Sequence, residues 1–283
     1  MFTIVSWNIQ YGKGVDDRIN LERTAEAIHK DNLPDVICFQ EVSRNYPSIS
    51  DGADQVKELK SFFTDYESYF GTVHDRSAGN GKNRKQFGNL VLTKISPIQV
   101  LHHLLPSPAV PNVKFMSRQI TELIIPIKTI NLRLMSTHLE FFSEIQQIAQ
   151  INRIREIHYE AYSQFHNPSQ DMPDTPFELV RRAENTVICG DFNFTPYSKP
   201  YMGMIEGFSE NKMDLVDAWT SKKGNNSHIP TCGVFDFKQW EIGPHCRDYF
   251  FVSQSLKKKI NQISVNTETN VSDHQPIRLV IDI

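Results

Sequence analysis

Polar residues that could act on a phosphorus centre follow several apolar, strand-like runs of this chain. The segment VICGDFN shows the pattern most clearly, because its apolar residues lead into Asp191 and, two positions later, Asn193. A carboxylate can take a proton from an attacking water, and a carboxamide can orient that water. Asn8, Glu41 and His138 also end apolar runs, whereas Asp248 opens one and Asp273 and His274 precede the last one. Taken together, these residue types suit the cleavage of a phosphoester.

The residue types also suit a hard divalent cation. Mg²⁺ prefers oxygen ligands, keeps several waters and needs only one or two carboxylates. Histidine can hydrogen-bond phosphate oxygens, and an aspartate beside a histidine stabilises its protonated form. The sequence has no Gly-x-Ser-x-Gly, no Gly-x4-Gly-Lys-Ser/Thr and no His-Glu-x-x-His. Serine-esterase, P-loop and zinc-protease chemistry are therefore not indicated.

Each residue taken alone has a plain structural explanation. An Asn or Glu that ends a strand is usually solvated, a lone His is usually a satisfied surface or core residue, and Gly-Asp followed by Asn is a common turn. Asp248 has the simplest alternative, a solvated residue before a strand. The full set is more informative, because active-site groups are commonly carried where a rigid scaffold fixes their direction.

The apolar patterns predict the elements that would position these residues. Strands are expected at residues 2–9, 35–39, 69–73, 87–93, 98–105, 119–125, 130–137, 186–189, 249–252, 260–265 and 277–281. Helices are expected after Asn20, within residues 52–63, after Ser143 and in DLVDAW. The Ser143 helix would bury Ile145 and place His158 on its wetter side. We predict one α/β domain over residues 1–283, with two sheets and outer helices.

Composition narrows the class of protein without naming an activity. The net charge is −3, so no global basic surface for duplex nucleic acid is expected. The N-terminal residues do not form a signal-peptide pattern, and no apolar run approaches the roughly 18 residues of a membrane span. Four cysteines in a chain this long do not suggest a disulfide framework. We expect a reduced, cytoplasmic, monomeric protein.

Six segments in order resemble the endonuclease/exonuclease/phosphatase superfamily of metal-dependent phosphoesterases, which includes pancreatic deoxyribonuclease and the apurinic-site endonucleases. The matching segments are SWNIQ, FQEV, STHLE, GDFNFTP, RDYFFVS and SDHQP, and they reach from residue 6 to residue 276. The resemblance implies a four-layered α/β sandwich, with two mixed sheets packed face to face and helices outside.

The resemblance also implies a role for each residue. Glu41 would be the principal ligand of Mg²⁺, with Mn²⁺ as a substitute, and Asn8 and Asp273 would lie on the same metal. Asp191 would be the general base, or a ligand of a second metal, and Asn193 would position the water or a phosphate oxygen. His138 and His274 would bind the phosphoryl group. Asp248 would orient His274.

The substrate is less well defined. Hydrolysis of a phosphodiester in a nucleic acid, a nucleotide or a lipid headgroup is the leading expectation. A phosphomonoesterase acting on a small metabolite or lipid, and an inactive relative that binds a partner, are the alternatives. WNIQYGKG departs from the segment usual in apurinic-site endonucleases, and DFNFTP departs from phosphoinositide phosphatases. Arg118 and Arg247 could each reach a phosphate oxygen.

Two insertions could set specificity. Residues 74–86 read as a loop rich in Gly, Asn and basic residues, which either attracts phosphate or is simply solvated. Residues 227–247 hold Phe235, Phe237 and Trp240. These aromatics could stack on a base or a lipid headgroup, or could form a small satellite cluster that tethers the loop. We expect the satellite cluster, with Trp240 as the exception.

Overall fold

The computed structural model describes residues 1–79, 83–182, 184–209 and 213–283. Its strands are β1 (Phe2–Asn8), β2 (Val36–Arg44), β3 (Glu67–Ser77), β4 (Arg84–Thr93), β5 (Gln99–Leu104), β6 (Gln119–Ile127), β7 (Ile130–His138), β8 (Thr186–Asp191), β9 (Leu215–Asp217), β10 (Asp248–Ser253), β11 (Ile260–Val265) and β12 (Ile277–Ile281). Its α-helices are α1 (Leu21–His29), α2 (Pro47–Ser50), α3 (Gln55–Phe62), α4 (Glu144–His166), α5 (Lys199–Ile205) and α6 (Ala218–Lys223). Short 3₁₀ helices cover Gln10–Gly12 and Gln254–Lys259.

The strands form two six-stranded sheets, with the orders β11-β12-β1-β2-β4-β3 and β5-β6-β7-β8-β10-β9. The pairs β1–β2 and β7–β8 are parallel. Their neighbours β12 and β4 in the first sheet, and β6 and β10 in the second, pair antiparallel with them. Both sheets are therefore mixed, as the family resemblance implied.

Three apolar clusters define four layers. Ile4 and Leu134 belong to the core between the two sheets. Val5, the next residue of β1, packs with α1 and α3 on the outer face of the first sheet, because successive strand residues point to opposite faces. Ile188 packs with α4 and α5 on the second sheet. Covering both faces explains the nearly continuous apolar runs of these strands, and the predicted α/β sandwich is confirmed.

Helix α4 differs from its predicted orientation at two residues. Ser143 caps it as expected, since its Oγ accepts from the Gln146 N–H (3.3 Å). The expectation that Ile145 is buried is wrong, because Ile145 is 63% exposed. The solvent-facing position predicted for His158 is also wrong. Its ring is buried, accepts from Arg133 Nη1 (3.1 Å) and donates to the Met213 carbonyl (2.9 Å).

The remaining differences concern irregular segments. The DLVDAW stretch is split, because Leu215–Asp217 is strand β9 and the helix begins at Ala218. Most of the predicted loop at 74–86 is a hairpin, in which β3 and β4 pair from Ser77 and Arg84 inward. The loop residues 80–82 lie outside the described residues. In the 227–247 segment only Trp240 of the three aromatics is buried, so the predicted satellite cluster is wrong.

No helix within the described residues is both long enough and apolar enough to cross a membrane.

Candidate active site

The predicted site residues meet where strands of both sheets end. His138 ends β7, Asp191 ends β8 and Asp248 begins β10, and the strand register pairs Asp191 with each of the other two. Gly190 allows this close approach. Its φ is +145°, and a Cβ at this position would overlap the Thr137 carbonyl oxygen. Adjacent strands thus bring an imidazole and two carboxylates side by side.

A bulge in β2 directs Glu41 into the same site. Glu41 has a φ of 60° and lies where the β2–β4 register shifts between Phe39 and Val42. A non-glycine residue in this backbone region is strained, and such residues are concentrated at functional sites. The Glu41 side chain remains 23% exposed, so one side of the carboxylate faces open space.

Asn8 connects the two sheets at this point. Its Nδ2 donates to Glu41 Oε1 (3.0 Å) and to Asp191 Oδ2 (2.9 Å). Its Oδ1 accepts from the Gln10 N–H (3.0 Å). The amide nitrogen therefore faces both carboxylates and the oxygen faces the backbone. In this geometry Asn8 orients the two carboxylates, and its Oδ1, which accepts one hydrogen bond, keeps a second lone pair for a cation.

Asp191 lies at the centre of the constellation. Its Oδ1 accepts from the Asn193 N–H (2.9 Å), and its Oδ2 lies 3.4 Å from His138 Nε2 and 3.6 Å from His274 Nε2. Burial alone would favour the protonated acid. The positive charge of His274 and the hydrogen bond from Asn8 outweigh it and hold the pKa of Asp191 below its usual range. Asp191 is thus a carboxylate at neutral pH.

Asn193 holds the ring of His138. Its Nδ2 donates to both His138 Nε2 (3.0 Å) and the Leu139 carbonyl (3.0 Å), so both amide hydrogens are used. His138 Nε2 is then a hydrogen-bond acceptor. Burial and the nearby Arg118 cation lower the pKa of His138 to about 3. His138 is therefore neutral in this arrangement.

His274 is held in the opposite charge state. Its Nδ1 donates to Asp248 Oδ2 (2.8 Å), and its ring lies edge-on to Trp240. Burial disfavours the imidazolium, but the carboxylates of Asp248, Asp191 and Asp273 together raise the pKa of His274 well above its usual range. The site thus holds one neutral and one cationic imidazole on either side of Asp191.

Glu41 and Asp273 are two neighbouring carboxylates that line the same cleft and could hold a cation. Burial and the neighbouring Asp273 charge raise the pKa of Glu41 to about 7, and burial also raises the pKa of Asp273. A divalent cation would relieve this repulsion, and oxygen donors match Mg²⁺ or Mn²⁺. Asp191, Asp248 and His274 also have ligand atoms within 4.8 Å of one another. Because a protonated His274 has no free lone pair, that group fits a hydrogen-bonded relay better than a metal centre.

The site opens into a cleft of about 670 Å³. Arg118 lines it and is only 4% exposed, yet its Nε and Nη1 have no hydrogen-bond partner among the described residues. The sequence did not indicate that Gln239 belongs to the site. Its Nε2 donates to Asp273 Oδ2 (2.8 Å), and its Oε1 accepts from Gln10 Nε2 (2.9 Å). Gln239 belongs to the irregular 227–247 segment, where no periodic pattern could indicate its direction.

Comparison with solved structures finds the same fold in proteins of low sequence identity. An endonuclease/exonuclease/phosphatase from Beutenbergia cavernae aligns with a TM-score of 0.70 at 18% identity, over 98% of this chain and 70% of its own. A mannosyl-6-phosphatase from Bacteroides thetaiotaomicron gives 0.69 at 15% identity, over 100% of both chains. The 3' phosphatase NExo from Neisseria, bound to a product DNA hairpin, gives 0.63 at 13% identity, also over 100% of both.

Family membership follows from the sequence as a whole. No curated protein matches the chain. The model of the endonuclease/exonuclease/phosphatase family, in contrast, matches residues 5–274, a span that includes every predicted site residue. The chain therefore belongs to the endonuclease/exonuclease/phosphatase family, whose members are metal-dependent phosphoester hydrolases of the nuclease and phosphatase type.

Proposed function

We propose that the chain hydrolyses a phosphodiester, in a nucleic acid, a nucleotide or a lipid headgroup, with Mg²⁺ or Mn²⁺ held beside Glu41 and Asp273. The observation that carries this proposal is the placement of Asp191 Oδ2 3.6 Å from His274 Nε2 in the lining of one cleft. The lowered pKa of Asp191 and the raised pKa of His274 favour a base and a cation at these positions. A base and a cation at that separation can act on an attacking water and on a phosphoryl oxygen at the same time.

Each side chain then has a defined task. Asp191 accepts the proton of the attacking water, and Asn8 fixes the direction of its carboxylate. His274 donates from Nε2 to a phosphoryl oxygen as charge builds there, while Asp248 holds its Nδ1 proton. Asn193 keeps the ring of His138 beside the phosphoryl group. When bound, the cation supplies electrostatic stabilisation to the charged phosphoryl oxygens.

Arg118 favours a second candidate, a phosphomonoesterase. A buried guanidinium with unpartnered N–H groups is costly, since each unsatisfied donor loses about 1–3 kcal/mol. Glu140 Oε2 forms an ion pair with Arg118 Nε at 3.5 Å, which compensates part of the charge but leaves Nη1 without a hydrogen-bond partner among the described residues. These donors match the extra negative charge of a monoester. The mannosyl-6-phosphatase and the 3' phosphatase among the solved structures also act, by name, as phosphatases.

Substituting Arg118 separates the two candidates. We expect Arg118→Gln to lower kcat/KM for p-nitrophenyl phosphate about 100-fold, because a charge-assisted contact is lost. The loss for bis-p-nitrophenyl phosphate should be smaller, since a diester carries less charge. Arg118→Lys is the matched control that retains the charge and should lose less on the monoester. Equal losses on both esters would remove Arg118 from substrate discrimination.

Metal removal tests the proposed function directly. Dialysis against a chelator should abolish hydrolysis of bis-p-nitrophenyl phosphate, and Mg²⁺ or Mn²⁺ should restore it. His274→Ala should then lose at least about 100-fold in kcat under saturating metal, because a donor to the developing charge is removed. A wild-type rate that survives the chelator would contradict the proposal. A rate confined to p-nitrophenyl phosphate would instead favour the monoester candidate.

The cleft also supports a substrate with a flat organic group. Phe115 and Phe142 line it and are 55% and 51% exposed, and Lys114 lies over the Phe142 ring (5.6 Å). Exposed aromatic side chains can stack on bases irrespective of sequence, and a nearby cation attracts phosphate. A short single-stranded oligonucleotide is therefore the first natural substrate to try.

The cysteines support the proposed cytoplasmic setting. All of the cysteines, Cys38, Cys189, Cys232 and Cys246, are free and buried. Free thiols persist in a reducing compartment. We infer a cytoplasmic protein, and a monomer as the simplest state.

A further inference from the structure

A second carboxylate–histidine pair lies behind Asp248, outside the substrate cleft. His228 Nε2 donates to Asp217 Oδ2 (2.6 Å), and the His228 side chain is 4% exposed. Asp217 also accepts from the Tyr201 hydroxyl (2.9 Å) and from the Trp219 N–H (2.8 Å). Strand β9, which carries Asp217, pairs with β10, which carries Asp248. The pair is thus rigidly placed next to the relay of the candidate active site.

Two buried polar atoms between these pairs have no partner. Among the described residues, neither His228 Nδ1 nor Asp248 Oδ1 makes a hydrogen bond. Both residues line one cavity of about 20 Å³, together with Thr231 and otherwise mostly apolar side chains. A water molecule needs roughly 10–15 Å³ of such space and two to four polar neighbours. The cavity volume meets the first requirement, and the side chains that carry the two unpartnered atoms belong to its lining.

We propose that one water molecule occupies this cavity and joins His228 Nδ1 to Asp248 Oδ1, which makes His228 a positioning residue for the Asp248–His274 relay. Asp217 fixes the tautomer, because the Nε2 hydrogen of His228 is directed at its carboxylate. In that tautomer Nδ1 carries the lone pair. The water would donate one hydrogen to Nδ1 and the other to Asp248 Oδ1.

Thr231 completes the water site. Its Oγ1 accepts from the Asp248 N–H (3.1 Å) and the Arg247 N–H (3.0 Å), which leaves its own hydrogen to donate. A water that accepts this hydrogen would make three hydrogen bonds, the usual number for a buried water. With Oδ1 held by the water and Oδ2 held by His274, the plane of the Asp248 carboxylate is fixed. His274 then keeps its direction towards the phosphoryl oxygen.

The proposal rests on the proposed function for its kinetic test, and a set of His228 variants makes that test specific. Asparagine places a polar atom near the position of Nδ1, whereas glutamine places one near Nε2. We expect His228→Gln and His228→Phe to lower kcat about 10-fold with little change in KM, as is typical when a partner of a functional residue is lost. His228→Asn should stay within about twofold of wild type. The matched control is His166→Gln, because His166 is 43% exposed and also faces a carboxylate, Glu184, at 3.4 Å.

The opposite order, with glutamine active and asparagine impaired, would show that only the Asp217 contact matters and would overturn the proposal. A crystal structure of the wild-type protein tests the water site independently, because it requires neither enzymatic activity nor stable variants. It should show an ordered water within about 3.2 Å of both His228 Nδ1 and Asp248 Oδ1. A dry cavity would overturn the water site even in an active enzyme. An ordered water in an inactive protein would instead place the failure in the proposed function.

Discussion

Asp191→Asn is expected to reduce kcat by about 10³-fold or more at neutral pH while leaving the fold intact. The substitution preserves the shape of a buried side chain that accepts from Asn8 Nδ2 and the Asn193 N–H, both at 2.9 Å. It removes the only property that a base needs, a carboxylate able to take a proton, and it also removes the negative charge facing His274. General bases and charge-stabilising groups each contribute on the scale of 10²–10⁴.

The measurement is kcat for bis-p-nitrophenyl phosphate under saturating Mg²⁺, with the thermal midpoint as a check on folding. Asp31→Asn is the matched control, because Asp31 is an exposed aspartate that also faces a cation, Arg278, at 3.7 Å. We expect that control to keep wild-type kcat. If the folded Asp191→Asn protein retains kcat within about tenfold of wild type, the base must be another group.

Much of the architecture and the membership of the site could be predicted, because both follow from local patterns. Apolar runs of strand length mark the sheets, and the polar residues of the candidate site stand at or near the ends of these runs. Asp191 and Asp248 illustrate the step that pattern alone does not supply. They lie 57 positions apart in the sequence, and the antiparallel β8–β10 register makes them neighbours.

What could not be predicted depends on backbone irregularity and on contacts distant in sequence. The bulge that turns Glu41 into the cleft has no sequence signal in FQEV, since bulges are set by the pairing of two strands. His158 reads as a surface histidine that follows Arg153 and Arg155 in α4. In the structure it is buried, and its Nδ1 accepts a hydrogen bond from Arg133 of β7 (3.1 Å), which is itself fully buried. Such contacts between buried polar side chains do not produce a periodic pattern in the sequence.

The insertion at 227–247 shows the same limit. Its aromatic content indicated a cluster, but Phe237 is 64% exposed and Trp240 is 5% exposed. Trp240 packs against His274 and Phe141, and the Arg247 guanidinium lies 4.9 Å from the Trp240 ring. The sequence shows how many aromatic side chains the segment carries. Which of them reaches the cleft depends on the path of an irregular backbone, which the sequence does not show.

Asp248→Asn is expected to lower kcat by about 10²–10⁴-fold and to change its pH dependence in a defined direction. In the wild type, burial raises the pKa of Asp248 to about 6, so at pH 7 it is a carboxylate that holds the His274 proton. Burial opposes the His274 cation, and the neighbouring carboxylates overcome this and raise the pKa of His274. The imidazolium is therefore present across neutral pH and is lost only as the pH rises through that raised value.

Burial lowers the pKa of His274, and the Asp248 carboxylate is one of the charges that raise it. Without that charge, the pKa of His274 should fall. The alkaline decline of kcat/KM, which reports groups of the free enzyme, should then occur at lower pH than in wild type. Asp282→Asn is a suitable control, because Asp282 is exposed and accepts from Asn261 (3.0 Å) at the end of the chain. A folded Asp248→Asn protein whose alkaline limb coincides with that of wild type would show that another group carries the titration. The cation opposite Asp191 would then have to be assigned elsewhere, and Arg118, which lines the same cleft, is an alternative.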